Sequence, residues 1–249
     1  MKTDWDYTAL ADAYLMRPDY SDAAIDAMLS IAAAMKGDKV CDVGAGVAHL
    51  TRMLAQRGLD VTAVEPNEAM RANGIGRTAA LANVRWHEGT GEKTGQAPRA
   101  YKMVTFGSSF NVCDRPAALR ETARILKPRG WFACMWNNRH LDDPIQEQIE
   151  SIIRQRMPAY GYGTRRQDQT SVIDDSGLFG PVVHIDSRVV HEQTIAQCVQ
   201  AWRSHATLER QAGASFAAVV SAIEEYLLGL YKATISIPYS TNVWVAQLR

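Results

Sequence analysis

The sequence predicts an α/β fold built on a doubly wound sheet, and three observations predict it. An apolar run, Val40-Cys41-Asp42-Val43, passes directly into Gly44-Ala45-Gly46 and then into a helical pattern through Leu50, Met53 and Leu54. A second apolar run, Val61 to Val64, ends in Glu65-Pro66 and again precedes a helical stretch. The alternation of short apolar run and amphipathic segment continues to Trp136. Such alternation implies right-handed crossovers onto one sheet.

In chain order, Ser21 caps a helix whose Ile25, Met28, Leu29 and Ala32 share one face, and Gly37 ends it. Strand one follows at Val40–Val43, and its glycine loop opens a helix closed by Gly58. After strand two at Val61–Val64, residues 67 to 82 read as a helix, Val84–His87 as strand three and about Met103 to Gly107 as strand four. Asp114 caps a helix with Leu119, Ala123 and Leu126 on one face; Pro128 and Gly130 stop it before strand five, Trp131–Trp136. Beyond this the pattern changes. Residues 144 to 157 and most of 194 to 230 read as helical, while 181 to 190 and Thr241 to Gln247 read as strands six and seven.

Composition fits one compact domain, since 249 residues at 47% hydrophobic can bury a large core without staples. With 27 basic and 27 acidic residues the chain has no bulk positive field, which argues against a nucleic-acid partner. Cys41, Cys113, Cys134 and Cys198 are scattered and mostly sit in apolar runs, as reduced core thiols do, so no metal site is expected. The N-terminus carries Asp4 and Asp6 where a secretory signal has a basic region, and no apolar stretch approaches the roughly 20 residues that cross a bilayer. The expectation is a cytoplasmic protein with no membrane partner, either monomer or homodimer.

The glycine bend carries the chemistry. Gly44 and Gly46 let the backbone approach a ligand, and the following helix aims its free N–H groups at the same place. Glu65 stands about 20 residues further on, where dinucleotide folds hold a carboxylate that accepts both hydroxyls of a ribose. The alternative role for Glu65 is to cap the helix beginning near Asn67. A dinucleotide fingerprint requires a third small residue for close helix packing, and His49 occupies that slot. S-adenosylmethionine (SAM) has no pyrophosphate and tolerates a large residue there, so the pattern favours SAM over a nicotinamide dinucleotide.

Four segments then resemble the class I SAM-dependent methyltransferases, within them the small-molecule group of trans-aconitate methyltransferase-like and biotin-pathway carboxyl methyltransferase-like enzymes. They are Tyr14-Leu15-Met16-Arg17-Pro18-Asp19-Tyr20, the loop at 42–46, Val64-Glu65-Pro66-Asn67-Glu68-Ala69-Met70, and Arg124-Ile125-Leu126-Lys127-Pro128-Arg129-Gly130. The resemblance covers most of residues 7 to 137. It implies a seven-stranded Rossmann-like sheet, mostly parallel with an antiparallel edge strand, and a helical lid. On that reading residues 1–249 are one domain, with a SAM-binding core at 22–137 and a lid formed by 1–20, 140–180 and 194–232. Two positions depart from the family: Lys102 replaces the usual acid opening strand four, and Asn111-Val112 replaces a frequent His-Trp pair.

The resemblance implies that Gly44, Ala45, Gly46, Gly107 and Ser108 hold the methionine end of SAM, Glu65 the ribose, and Pro66 and Met70 the adenine or ribose face. Thr90 and Gly91 fall where the family contacts adenine, and Tyr14 with Arg17 can cover the cofactor. Phe110, Asn111, Trp136, Arg139 and Arg203 are candidate acceptor-binding residues, with core packing the alternative for both aromatic rings. An O or N acceptor of high pKa needs a base, for which His205 and His140 are the candidates. A carboxylate acceptor needs only cations to orient it, and Arg139, Arg165, Arg166 and Arg203 are available. The expected function is methyl transfer from SAM to O or N of a small-molecule acceptor. A non-catalytic SAM-binding protein and a nicotinamide oxidoreductase are the alternatives, while a base-modifying enzyme is disfavoured because no Asn/Asp-Pro-Pro-Tyr motif is present.

Overall fold

The computed structural model describes residues 6–249; the first five residues, which include Asp4 and open the expected lid segment 1–20, lie outside the described residues. After a single 3-10 turn, α1 (Ala11–Tyr14) and α2 (Asp22–Ile31) lead to β1 (Lys39–Val43), α3 (His49–Gln56), β2 (Asp60–Val64), α4 (Glu68–Thr78), β3 (Val84–His87) and β4 (Tyr101–Gly107). Then come α5 (Arg115–Ile125), β5 (Leu126–Arg139), α6 (Pro144–Arg156), α7 (Thr170–Asp174), β6 (Val183–Thr194), α8 (Ile195–Arg203), α9 (Ala206–Ala212), α10 (Phe216–Leu228) and β7 (Thr234–Gln247).

The seven strands form one sheet in the order β3-β2-β1-β4-β5-β7-β6. The β1–β2, β1–β4, β2–β3 and β4–β5 pairs are parallel, whereas β7 runs antiparallel to both β5 and β6. The antiparallel strand therefore sits one place in from the edge. Alternate side chains point to opposite faces, so β1, β2, β4, β5 and β7 each feed two cores. Met103, Ala133 and Met135 pack with Ile25, Met28, Leu50 and Leu54 of α2 and α3 on one face. Phe106, Phe132 and Cys134 pack with Leu119, Ile125 and Phe179 on the other. The order reverses between β1 and β4, which is where an open α/β sheet leaves a crevice.

The caps fall where the sequence places them. The Ser21 hydroxyl accepts from Ala24 N–H at 3.4 Å, Asn67 from Met70 N–H at 3.0 Å and Asp114 from Ala117 N–H at 3.0 Å. The helix expected at 67–82 stops at Thr78. Strands six and seven are longer than expected, because Ile235, Ile237 and Tyr239 alternate inward and extend β7 well N-terminal of Thr241. This extension, with the end of β6, joins α6, α8 and α10 in a separate apolar cluster around Ile153, Trp202 and Ile223. That cluster packs the segments expected to form the lid. Among the described residues no helix is long and apolar enough to cross a membrane.

Candidate functional site

The bend after β1 is held by strong backbone geometry. Gly44 and Gly46 adopt φ values of +66° and +55°, and the N–H groups of Gly44 and Ala45 both donate to Val64 O, at 2.8 and 3.1 Å. A Cβ on Gly44 would stand 2.4 Å from Ser109 Cβ, so the loop and the turn after β4 touch with no room for a side chain. Glu65, at the end of β2 and only 6% exposed, closes the constellation. Its Oε2 accepts from Gly46 N–H and its Oε1 from Asn67 N–H, each at 2.9 Å. Each oxygen keeps a second lone pair for a ligand.

The N-terminal segment is tied down over this loop by His49. Its Nδ1 meets Asp19 Oδ1 at 2.6 Å and its Nε2 meets Tyr14 O at 2.9 Å. Arg17 stacks 3.8 Å over the Tyr14 ring and donates to the Ser204 hydroxyl and carbonyl at 2.9 and 2.7 Å, linking the segment to the turn between α8 and α9. Tyr20 OH and Ser108 Oγ share a hydrogen bond of 2.9 Å. These elements line a cavity of about 470 Å³.

Residues 41–134 match the family model described as "Methyltransferase domain". Over those residues the chain is similar to methyltransferase domains. An uncharacterized methyltransferase of Mycobacterium tuberculosis is 35% identical over 127 residues, 49% of this chain and 48% of that protein. A ubiquinone/menaquinone biosynthesis C-methyltransferase of Rubrivivax gelatinosus is 30% identical over 106 residues, 42% of this chain and 41% of that protein. These matches thus span about half or less of the relatives' own length. In fold, the chain resembles the YcgJ protein of Bacillus subtilis, with a TM-score of 0.56 and 16% identity over 92% of this chain and 99% of that one. A phosphoethanolamine N-methyltransferase of Haemonchus contortus gives a TM-score of 0.52 at 17% identity, over 91% of this chain and 52% of that one.

SAM is the cofactor of this domain class, and the residues of the cavity fit it. A Cβ would meet Met70 Cε at 3.3 Å from Gly46, Cys113 Sγ at 2.6 Å from Gly91, and Tyr20 OH at 3.0 Å from Gly107. Backbone therefore forms much of the wall where a flat or extended ligand must approach closely. The Glu65 carboxylate, raised in pKa chiefly by burial, faces this space. All twelve residues expected to meet the cofactor line the cavity: Tyr14, Arg17, Gly44, Ala45, Gly46, Glu65, Pro66, Met70, Thr90, Gly91, Gly107 and Ser108.

Asp42 lies beneath the loop, accepting from the hydroxyls of Thr51 at 2.6 Å and Thr105 at 3.0 Å. Burial pushes its carboxyl up to about 7, against the pull of those two hydroxyls. The folded protein holds this proton to higher pH than the unfolded chain does. Its contribution to stability is therefore full below about pH 4 and is lost as pH rises through about 7, by at most ~4 kcal/mol. Asp42→Asn is expected to melt higher than wild type at about pH 8 and to lose that advantage toward pH 4, read by thermal melts across the range. A gap between the two proteins that does not move with pH removes Asp42 as the titrating group.

Of the expected acceptor-side residues, Asn111, Trp136 and Arg139 line the cavity, and the Trp136 indole donates to Asn111 Oδ1 at 2.9 Å. The structure does not bring the other two there. Phe110 is fully buried between Phe106 and Phe132, with centroids at 5.4 and 5.3 Å. Arg203 turns outward on α8 and pairs with Glu224 at 3.1 Å. His140 likewise lies outside the cavity lining, its Nε2 bonded to Ser240 Oγ at 3.0 Å.

His205 does reach the cavity, but its lone pair is taken. Its Nδ1 accepts from Leu208 N–H at 3.2 Å, capping α9, so the neutral ring carries its proton on Nε2. Burial, then Arg165, Arg139 and Arg17, hold its pKa well below the ordinary value. In this arrangement the ring presents Nε2–H as a donor. Sequence reading named neither Tyr20 nor Tyr239 as a site residue, yet both line the cavity. Tyr20 stood inside the family-like segment; Tyr239 carried no signal, because it arrives on the unexpected half of β7.

Proposed function

We propose that this chain is a SAM-dependent methyltransferase that places the methyl group on an O or N atom of a small molecule. The observation that carries the reading is the meeting of Gly46 N–H and the Glu65 carboxylate at 2.9 Å inside one cavity at the sheet's reversal point. When bound, SAM supplies an electrophilic methyl on a sulfonium. Glu65 takes the ribose hydroxyls, the 44–46 bend and Gly107-Ser108 take the methionine end, and Thr90 with Gly91 borders the base.

The work left to the protein is alignment and exclusion of water. The described part of the expected lid, residues 6–20, 140–180 and 194–232, serves as a cover, with Arg17 joining its N-terminal and α8–α9 parts through Ser204. An acceptor that is already anionic, or an amine of modest pKa, suits a pocket whose histidine donates. Two fold neighbours support a small-molecule acceptor: the Haemonchus contortus enzyme was solved with phosphomonomethylethanolamine, and a geranyl diphosphate C-methyltransferase of Streptomyces coelicolor with geranyl diphosphate. A carbon acceptor is the second reading, favoured by the Rubrivivax gelatinosus relative, a C-methyltransferase by name.

Calorimetric titration tests the proposal. SAM and S-adenosylhomocysteine are expected to bind at micromolar levels and NAD not at all. NAD binding without SAM binding would end this reading. Binding of SAM with no S-adenosylhomocysteine formed against panels of O, N and C acceptors would favour a non-catalytic SAM-binding protein.

A further inference from the structure

The lid half of the cavity holds fixed positive charge that the fold does not neutralise. Arg17, Arg139 and Arg165 all line it, and none takes part in an ion pair among the described residues. Arg139, at the end of β5, lies 4.2 Å over the Trp202 ring and 5.5 Å from that of Tyr239. Its Nε is buried without a hydrogen-bond partner, as are Arg165 Nε and Tyr239 OH. Arg165 Nη1 stands 3.4 Å from His205 Nε2. Since Nδ1 of that ring already accepts from Leu208, both of these nitrogens carry hydrogens. Two donors thus stand side by side, neither with an acceptor among the described residues.

Unpaired buried donors and cations are costly, and a fold retains them where a ligand completes the set. The acids that line the same cavity, Asp42, Glu65, Glu92 and Asp114, belong to the core elements and not to the lid. The cavity is thus polarised, with acids beneath the cofactor loops and cations under the lid.

We propose that Arg139, Arg165 and the Nε2–H of His205 form an anchoring subsite for an oxyanion, a carboxylate or phosphate, on the methyl acceptor, and that the methylated atom lies elsewhere on that molecule. This deepens the methyltransferase reading and rests on it. An oxyanion held by guanidinium forks has its lone pairs engaged and its charge matched, which makes it a good handle and a poor nucleophile. Aromatic packing of Arg139 against Trp202 and Tyr239 leaves its N–H edge as the part free to bind.

The test titrates citrate and inorganic phosphate, with glycerol as a neutral control, into the protein both free and saturated with S-adenosylhomocysteine. Four proteins are compared: wild type, Arg139→Gln, Arg165→Gln and Arg203→Gln, the last removing a lid-helix arginine that faces away from the cavity. At least one anion is expected to bind wild type and Arg203→Gln alike, and to bind each of the other two at least ten-fold more weakly. Citrate binding assigns a carboxylate handle and phosphate binding a phosphorylated one. Arg165 sits in a short 3-10 turn, so its variant keeps the test readable if Arg139→Gln melts early. Equal binding by all four proteins, binding of neither anion, or methyl ester formation on the bound anion overturns the subsite. SAM affinity measured on the same samples separates the two claims. SAM binding without anion binding sinks the anchor alone, whereas failure of wild type to bind SAM sinks the methyltransferase reading while the free-protein titration still reads the anchor.

Discussion

Glu65→Ala is expected to weaken SAM binding by about 30- to 1000-fold. The carboxylate makes two charge-assisted bonds to backbone N–H groups, and on the proposed reading its remaining lone pairs take the ribose diol. Bonds to charged groups contribute about 1.5 to 3 kcal/mol each, and the variant loses those to the ligand while leaving Gly46 N–H and Asn67 N–H without an acceptor. A loss of about 2 to 4 kcal/mol converts to the stated range at 1.4 kcal/mol per decade. Glu65→Gln is the informative companion. It keeps the shape and one acceptor oxygen but turns an NH₂ toward a backbone donor, so its affinity should fall between the two. Because burial raises the pKa of this carboxyl, acidification should weaken SAM binding earlier than an exposed glutamate would allow. Calorimetry on Glu65→Ala that returns the wild-type affinity would remove the ribose assignment.

Gly44→Ala should have the largest effect on stability of any single-methyl change near the site. The new Cβ would lie 2.4 Å from Ser109 Cβ and 2.8 Å from its Oγ, and the backbone there has φ of +66°. Left-handed backbone costs an L-residue about 1 to 2 kcal/mol and overpacking about 1 to 3 kcal/mol. The total of about 2 to 5 kcal/mol is a large share of the ~5 to 15 kcal/mol that holds a domain folded. Melting should drop by about 4 to 20 °C, and the displaced loop should lose SAM affinity as well. Gly76→Ala is the control, since it lies within α4 and a Cβ there meets nothing within 4 Å. It should melt at or above wild type. Similar melting of the two variants would show that the contact between loop and β4 turn is not tight.

The core half of the site was legible in the chain because its signals are local. An apolar run that meets two glycines can hardly be anything but a strand turning into a helix. Asn67 and Asp114 sit one residue before their helices, where side-chain oxygens reach orphan N–H groups. The Glu65 carboxylate serves both Asn67 N–H and Gly46 N–H, while the cap on α4 is the Asn67 side chain. The lid half was not legible. Arg203 and His205 are two residues apart, yet one points to solvent and the other into the cavity. Phe110 and Asn111 are adjacent, and only the second reaches the cavity.

Local chemistry in the sequence determined that strand, bend, helix and acid recur at spacings which shape a nucleoside site, because hydrogen-bonding demands and backbone freedom act over a few residues. Tertiary structure alone decided what stands opposite that site. Arg17, Arg139, Arg165, His205 and Tyr239 come from five separated segments, and their meeting depends on how the lid's apolar cluster seats against the sheet. That seating is set by the packing of many side chains at once, for which no short stretch of residues carries the pattern.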